Sequence, residues 1–531
     1  MRQLSITFLL TFFFLKNISA EKIWVSFRDK SEVTFDPYNY FSERTIVQRI
    51  EQRLPLCDSL DFPVSDKYLT TLSHFSDSMS YSSRWLNGVA VFCSVQKAEE
   101  ILKLPFVKSI EALGSKSFLA EKKMDLYQLN KYDQRLIAYQ TERLGAQQFT
   151  NKQLDGTGIR IAVLDAGFSG VDQNYVFTKT RNENKIIATY DFVKKVTNVY
   201  EGNAHGTGTL SCIVGKADTV LIGLATGAEI LLARTERVSS EKFSEEENWL
   251  AAVEWADKNG ANIISSSLGY SNARYFNFDM TGKKSLIASA ATIAAQKGIL
   301  VINAAGNDGE NDWHFVSTPG DADSVLTVGG TDPETDYHSR FSSYGPTADG
   351  RMKPNVVAPA HVICAAKTGL TSSYGTSFSA PLVAGFAACV WQAHRNWTNM
   401  QVFRAIEKSG NLYPYFDYAH GYGIPQALYF VSDSITRQPT FDFVIVNNEM
   451  KVILREKYAH SAQEKELGFE ARRNFYIKIE NGSGKLKNYS VLLADKKEMS
   501  DFDLYDLAPG DIVTVHFEGY TKSYTRPNEL Q

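Results

Sequence analysis

The sequence is short of several things at once. Its five cysteines, Cys57, Cys93, Cys212, Cys364 and Cys389, are odd in number and contain no C-x-x-C pair. That excludes a disulfide framework or a cysteine zinc site as the organising principle, and buried free thiols are expected instead. Net charge is almost absent, 60 acidic against 56 basic residues. There is therefore no basic footprint for phosphate neutralisation and no acidic tail, and nucleic acid is not an expected partner. No segment offers the ~20 uncharged apolar residues that cross a bilayer, so no stable membrane span is expected. An Asp-x-Asp-x-Asp-Gly loop is also missing, and Asp321 and Asp323 read as turn residues. No metal and no other cofactor is expected.

What is present is a 44% hydrophobic chain of 531 residues. At about 150 residues per domain this suggests three or four units, each able to bury a core. Residues 1–20 hold one basic residue (Arg2), an apolar run from Leu4 to Leu15, and small residues Ser19 and Ala20. This pattern predicts a secretory signal peptide, and hence a secreted, periplasmic or cell-surface destination.

Residues 21–116 alternate strand-like and helical stretches, as in Ile23-Trp24-Val25-Ser26-Phe27 and Glu43 to Arg53, and predict an α+β unit. Charged and polar residues follow, and 117–140 is expected to be a linker. From 141 to 431 short apolar runs (Ile159–Leu164, Glu229–Ala233, Asn262–Ser266, Ile299–Asn303, Val325–Val328) alternate with helical periodicity (Phe243–Lys258, Leu286–Gln296, Ser379–His394, Met400–Ser409). Continuous apolar strands between helices predict an α/β domain of three layers around a mostly parallel sheet. Acidic residues Glu241 to Glu247 read as the solvated start of one helix. After a second linker at 432–439, residues 440–531 alternate apolar and polar positions around the turn signal Asn481-Gly482-Ser483-Gly484, predicting a small β-sandwich.

In such a sheet, polar residues just beyond the strand ends are the first candidates for chemistry. Asp165 ends the run Ile161–Leu164 and precedes Ala166-Gly167. Asn307 follows another strand in Ala304-Ala305-Gly306-Asn307. His205, one of only nine histidines, lies in Ala204-His205-Gly206-Thr207-Gly208-Thr209. Ser377, in Gly375-Thr376-Ser377-Phe378-Ser379-Ala380-Pro381, opens an apolar helix, where free N–H groups stabilise negative charge on an attacked carbonyl oxygen. Pro381 is expected in that helix's first turn, where it loses no hydrogen bond. Alone, each residue has an ordinary reading as cap, core histidine or turn. Together they supply nucleophile, base, orienting carboxylate and anion donor.

Asp165, His205 and Ser377, in that order and in those contexts, resemble the catalytic triad of the subtilisin-like serine proteases over about Thr141 to Phe430. Asp165-Ala166-Gly167 departs from the commoner Asp-Ser/Thr-Gly, so one hydroxyl beside the carboxylate is missing. The resemblance implies peptide-bond hydrolysis through an acyl-enzyme on Ser377, with Asn307 and the Ser377 N–H holding the oxyanion. Ser266, Ser267, Leu268 and Gly269 resemble the extended edge that pairs with substrate backbone. Trp85 to Val107 looks like the folded propeptide of these proteases, acting as an intramolecular inhibitor, with processing expected between about Ala112 and Tyr139. The expected partners are thus a polypeptide substrate and the chain's own propeptide. An inactive peptide-binding relative and a peptide ligase using the same acyl-enzyme are the alternatives.

Overall fold

The structure is a computed structural model and describes residues 22–113, 130–237, 244–271, 274–432, 438–458, 465–466, 469–470, 473–494 and 498–528. The expected signal peptide, residues 114–116 at the end of the expected α+β unit, 117–129 of the linker, 241–243 of the acidic run and 433–437 of the second linker lie outside these.

Seven parallel strands form the central sheet, in the order Val356–Pro359, Val325–Thr331, Leu300–Ala304, Ile263–Ser266, Arg160–Asp165, Glu229–Arg234, Ile186–Asp191. Side chains alternate across the sheet, so each strand feeds two cores. Ile161, Val163, Ile302 and Val328 pack under the helices His205–Val214 and Thr376–Ala393. Ala162, Leu164, Ile264 and Val301 pack under Ser244–Lys258 and Leu286–Gln296. This is the expected three-layer α/β domain. The two edge strands escaped the sequence reading because Ile186–Asp191 is only half-buried and Val356–Pro359 spans four residues.

Two expectations change here. Lys131–Glu142 is a helix, with Leu136 and Ile137 in the first core, so residues 131–140 pack as part of the α/β domain rather than forming a linker. Glu245, Glu246 and Glu247 are buried, not solvated. Glu246 pairs with Arg274 at 2.8 Å and accepts from the Tyr275 hydroxyl at 2.9 Å, while Glu247 accepts from Ser80 Oγ at 2.7 Å. An acidic run reads as solvated until the partners arriving from distant sequence are known.

The N-terminal unit is an antiparallel sheet in the order Ser78–Ser83, Gly88–Phe92, Ile23–Phe27, Val107–Ala112. One face carries its own core of Val25, Phe27, Leu72, Val91 and Ile101, whereas Trp24, Trp85 and Ala90 join the second core of the α/β domain. Around this apolar contact lies a buried charge cluster. Arg49 donates to Asp61 at 2.9 Å and, across the interface, to Asp257 at 2.8 Å; Lys297 answers from the α/β domain to Asp61 at 2.8 Å. Burial pushes the Asp257 carboxyl from 3.8 up to about 6, against the pull of Arg49.

At the other end, the three-stranded sheet Phe441–Val446, Glu449–Leu454, Glu498–Asp503 and a four-stranded sheet centred on Asn474–Glu480 and Ile512–Phe517 share a core of Phe441, Val452, Phe475, Val513 and Phe517. This unit docks on residues 412–420. The Tyr415 hydroxyl lies 3.2 Å from the Ile477 carbonyl, Tyr476 packs edge-on to His420, and Lys478 Nζ sits 3.6 Å above the Phe416 ring.

Arg49→Ala leaves Asp61 and Asp257 buried with one cation fewer. It should lower the stability of the full-length chain by about 3–5 kcal/mol in urea unfolding near neutral pH. A loss under about 1 kcal/mol would mean that the cluster does not hold the two units together. Because the Asp257 value is raised when docked, its contribution is full below about 4 and is lost as pH rises through about 6. Asp257→Asn should remove that part of the pH dependence.

Candidate active site

The strand Arg160–Asp165 delivers Asp165 to the carboxyl edge of the sheet with no exposed surface. Next to it, the helix His205–Val214 begins at the histidine itself, whose backbone N–H is capped by Asn203 Oδ1 at 2.5 Å. His205 Nδ1 donates to Asp165 Oδ1 at 2.7 Å, which leaves Nε2 as the acceptor that a base requires. Asp165 Oδ1 also accepts the Ala166 N–H at 2.7 Å, and Oδ2 accepts from Thr209 Oγ1 at 2.9 Å. These bonds explain how a carboxylate is tolerated without water.

Ser377 is the second residue of the helix Thr376–Ala393, so its N–H has no intrahelical partner. The ring of the next residue, Phe378, lies 5.7 Å from the His205 ring and brings the two helices together above the sheet. Asn307 stands on the far side. Its Oδ1 accepts the Thr376 N–H at 2.9 Å and lies 3.0 Å from Thr376 Oγ1, which fixes the amide so that Nδ2 is the free donor. A Cβ on Gly375 would fall 3.4 Å from Asn307 Nδ2 and 3.7 Å from the Ser377 nitrogen, so both donors border the same small space. Gly375 has φ +140°, a conformation that L side chains rarely adopt.

The stretch Ser266–Gly269 divides in two. Ser266 and Leu268 are structural: Ser266 Oγ accepts from Trp249 Nε1 at 3.0 Å, and the Leu268 side chain lies in the second core. Ser267 joins the helix of Ser377 instead. Its Oγ donates to the Ser377 carbonyl at 2.7 Å, and its own carbonyl accepts from Ser377 Oγ at 3.4 Å. This corrects the expectation for Pro381. The helix starts at Thr376, so Pro381 sits in its second turn and lacks the N–H that would have bonded the Ser377 carbonyl. Ser267 supplies the missing donor. Gly269 is exposed, and a Cβ there would come within 2.2 Å of Ser317 Oγ, a buried hydroxyl with no partner among the described residues. Tyr270 is a core aromatic, its hydroxyl 2.7 Å from Glu236 Oε1.

Thr209, Asn203, Thr376 and Ser317 were missed in the sequence. Thr209 alone left a signal, since a residue four positions after His205 on one helix lies on the same face. Cys364 lies against Gly208, but burial pushes its thiol up to about 12, so it is no rival nucleophile. Asp321 serves a turn, accepting the Gly282 N–H at 2.7 Å.

Residues 156–423 match the model of the subtilase family, and residues 22–127 match that of the peptidase S8 propeptide domain of Bacteroidota. The chain is 28% identical to M-protease of Shouchella clausii (strain KSM-K16) over 269 residues, 50% of this chain and 62% of that protein, so it spans less than two thirds of that relative. It is 28% identical to Subtilisin BL of Lederbergia lenta over 269 residues, 50% of this chain and 88% of that protein. The crystal structure of MycP1 from Mycobacterium smegmatis is similar over 57% of this chain and 86% of that one, with 22% identity and a TM-score of 0.46.

Gly375→Ala should destabilise the protein by about 1–3 kcal/mol through backbone strain alone, read as a drop in thermal midpoint. An unchanged midpoint would show that the turn before Ser377 adopts another conformation.

Proposed function

The chain belongs to the subtilase family of serine proteases and carries its propeptide domain, and from that premise we propose that it is an exported endopeptidase that cuts itself free of residues 22 to about 130. The observation that carries the reading is the short bond from His205 Nδ1 to a fully buried Asp165, beside a serine at a helix N-terminus. His205 Nε2 takes the Ser377 hydroxyl proton as Oγ attacks the scissile carbonyl. Asp165 holds the imidazole in that tautomer and stabilises the imidazolium, which then protonates the leaving amine. Water, deprotonated by the same nitrogen, releases the acyl group.

The oxyanion is received by the Ser377 N–H and Asn307 Nδ2, which border one space next to Gly375. Substrate pairs through main-chain groups of Ser267 to Gly269, a mode that tolerates many sequences. In this role the side chains of Ser266 and Leu268 contribute the firmness of the edge rather than contacts. The apolar run at residues 4–15 supports export. Among the described residues no helix is long and apolar enough to cross a membrane.

A fluorophosphonate probe tests the reading. It should label the wild-type protein and not Ser377→Ala; absence of labelling in both would favour a peptide-capturing groove, and products carrying an added amine would favour a ligase. Asn307→Ala should fold yet lose about 10²–10³ in kcat. Under the same reading, secreted Ser377→Ala retains its propeptide while the wild type loses it, as N-terminal sequencing would report. Identical mature ends would point to a separate processing enzyme.

A further inference from the structure

We infer that Thr209 is a positioning residue for the reaction: its hydroxyl holds the second oxygen of Asp165 and so fixes the plane in which the carboxylate meets His205. The inference rests on the reading of Asp165 and His205 as orienter and base.

Asp165 is fully buried, and an ionised carboxylate offers about four lone-pair positions. On Oδ1 it accepts from His205 Nδ1 and from the Ala166 N–H. On Oδ2 the one donor among the described residues is Thr209 Oγ1, at 2.9 Å. The adjacent side chain contributes nothing, because residue 166 is alanine. Without the Thr209 hydroxyl, half of a buried anion would be unsatisfied.

The geometry adds a second point. Thr209 follows His205 by four residues on the single helix His205–Val214, so the two side chains share a face. One rigid element thereby grips both oxygens of one carboxylate, the imidazole on Oδ1 and the hydroxyl on Oδ2. A carboxylate held at one oxygen can rotate about its Cβ–Cγ bond; held at both by the same helix, it cannot turn without breaking a bond.

Thr209 has a local alternative, since its Oγ1 also lies 3.2 Å from the Gly206 carbonyl, three residues back. A hydroxyl has one proton to give. The shorter contact is to the charged oxygen, where a hydrogen bond is roughly twice as strong as a neutral one. The residue is completely buried, and its β-branched side chain is stiff at χ1, so the hydroxyl is presented rather than sampled.

The test is Thr209→Val, which keeps the shape and removes the donor. With substrate in steady state and active sites titrated by the fluorophosphonate probe, kcat should fall about tenfold to a hundredfold, as for loss of a hydrogen bond to a charged group, with KM within about twofold. Thr209→Ser, which returns the hydroxyl, should recover most of the lost rate. If the valine variant does not fold, Thr209→Ala on the same helix poses the same question. A folded Val or Ala variant with wild-type kcat overturns the inference, as does a Ser variant no better than Val, since packing would then be the whole role. These outcomes are separate from the catalytic reading, which fails if the wild type itself is neither labelled nor active.

Discussion

A negative charge with no exposed surface is the constraint around which this molecule is arranged. Asp165 is costly to bury unless its oxygens are met by donors, and the donors come from a following backbone amide and from one neighbouring helix. That requirement fixes where the helix His205–Val214 begins and how it lies on the sheet. Through the contact of His205 with Phe378 it also bears on where the helix Thr376–Ala393 can lie. The parallel sheet makes this possible by ending its strands on one edge, where helix N-termini converge.

The catalytic unit was readable in the sequence because its signals are local. Apolar runs such as Ile161–Leu164 declare strands covered on both faces, and glycine-rich entries into helices at His205 and Ser377 place polar groups at N-termini. What escaped reading depends on distant partners. Glu245 to Glu247 look solvated until Ser80, Arg274 and Tyr275 arrive from other parts of the chain. Nothing local to Ser267 announces that its hydroxyl bonds the Ser377 carbonyl, 110 residues further along the chain. The edge strand Ile186–Asp191 has no continuous apolar face to betray it.

The N-terminal unit shows how an interface can be specific without being purely apolar. Trp24 and Trp85 extend the catalytic core outward, while Arg49, Asp61, Asp257 and Lys297 form an alternating set of charges across the boundary. Such a cluster gains little net energy over an apolar patch of equal volume, because desolvation consumes most of the attraction. It does penalise any misplaced docking that would strand a single charge. The geometry of the docked unit is therefore narrowly defined.

Pro381 has a mechanical corollary. By withholding an amide from its own helix it leaves a carbonyl for the neighbouring strand, and the serine thereby becomes tied to the peptide edge beside it at two points. A pull along that edge does not act on a loose loop; it is shared with the first turn of the helix, so the edge and the Ser377 side chain shift as one piece.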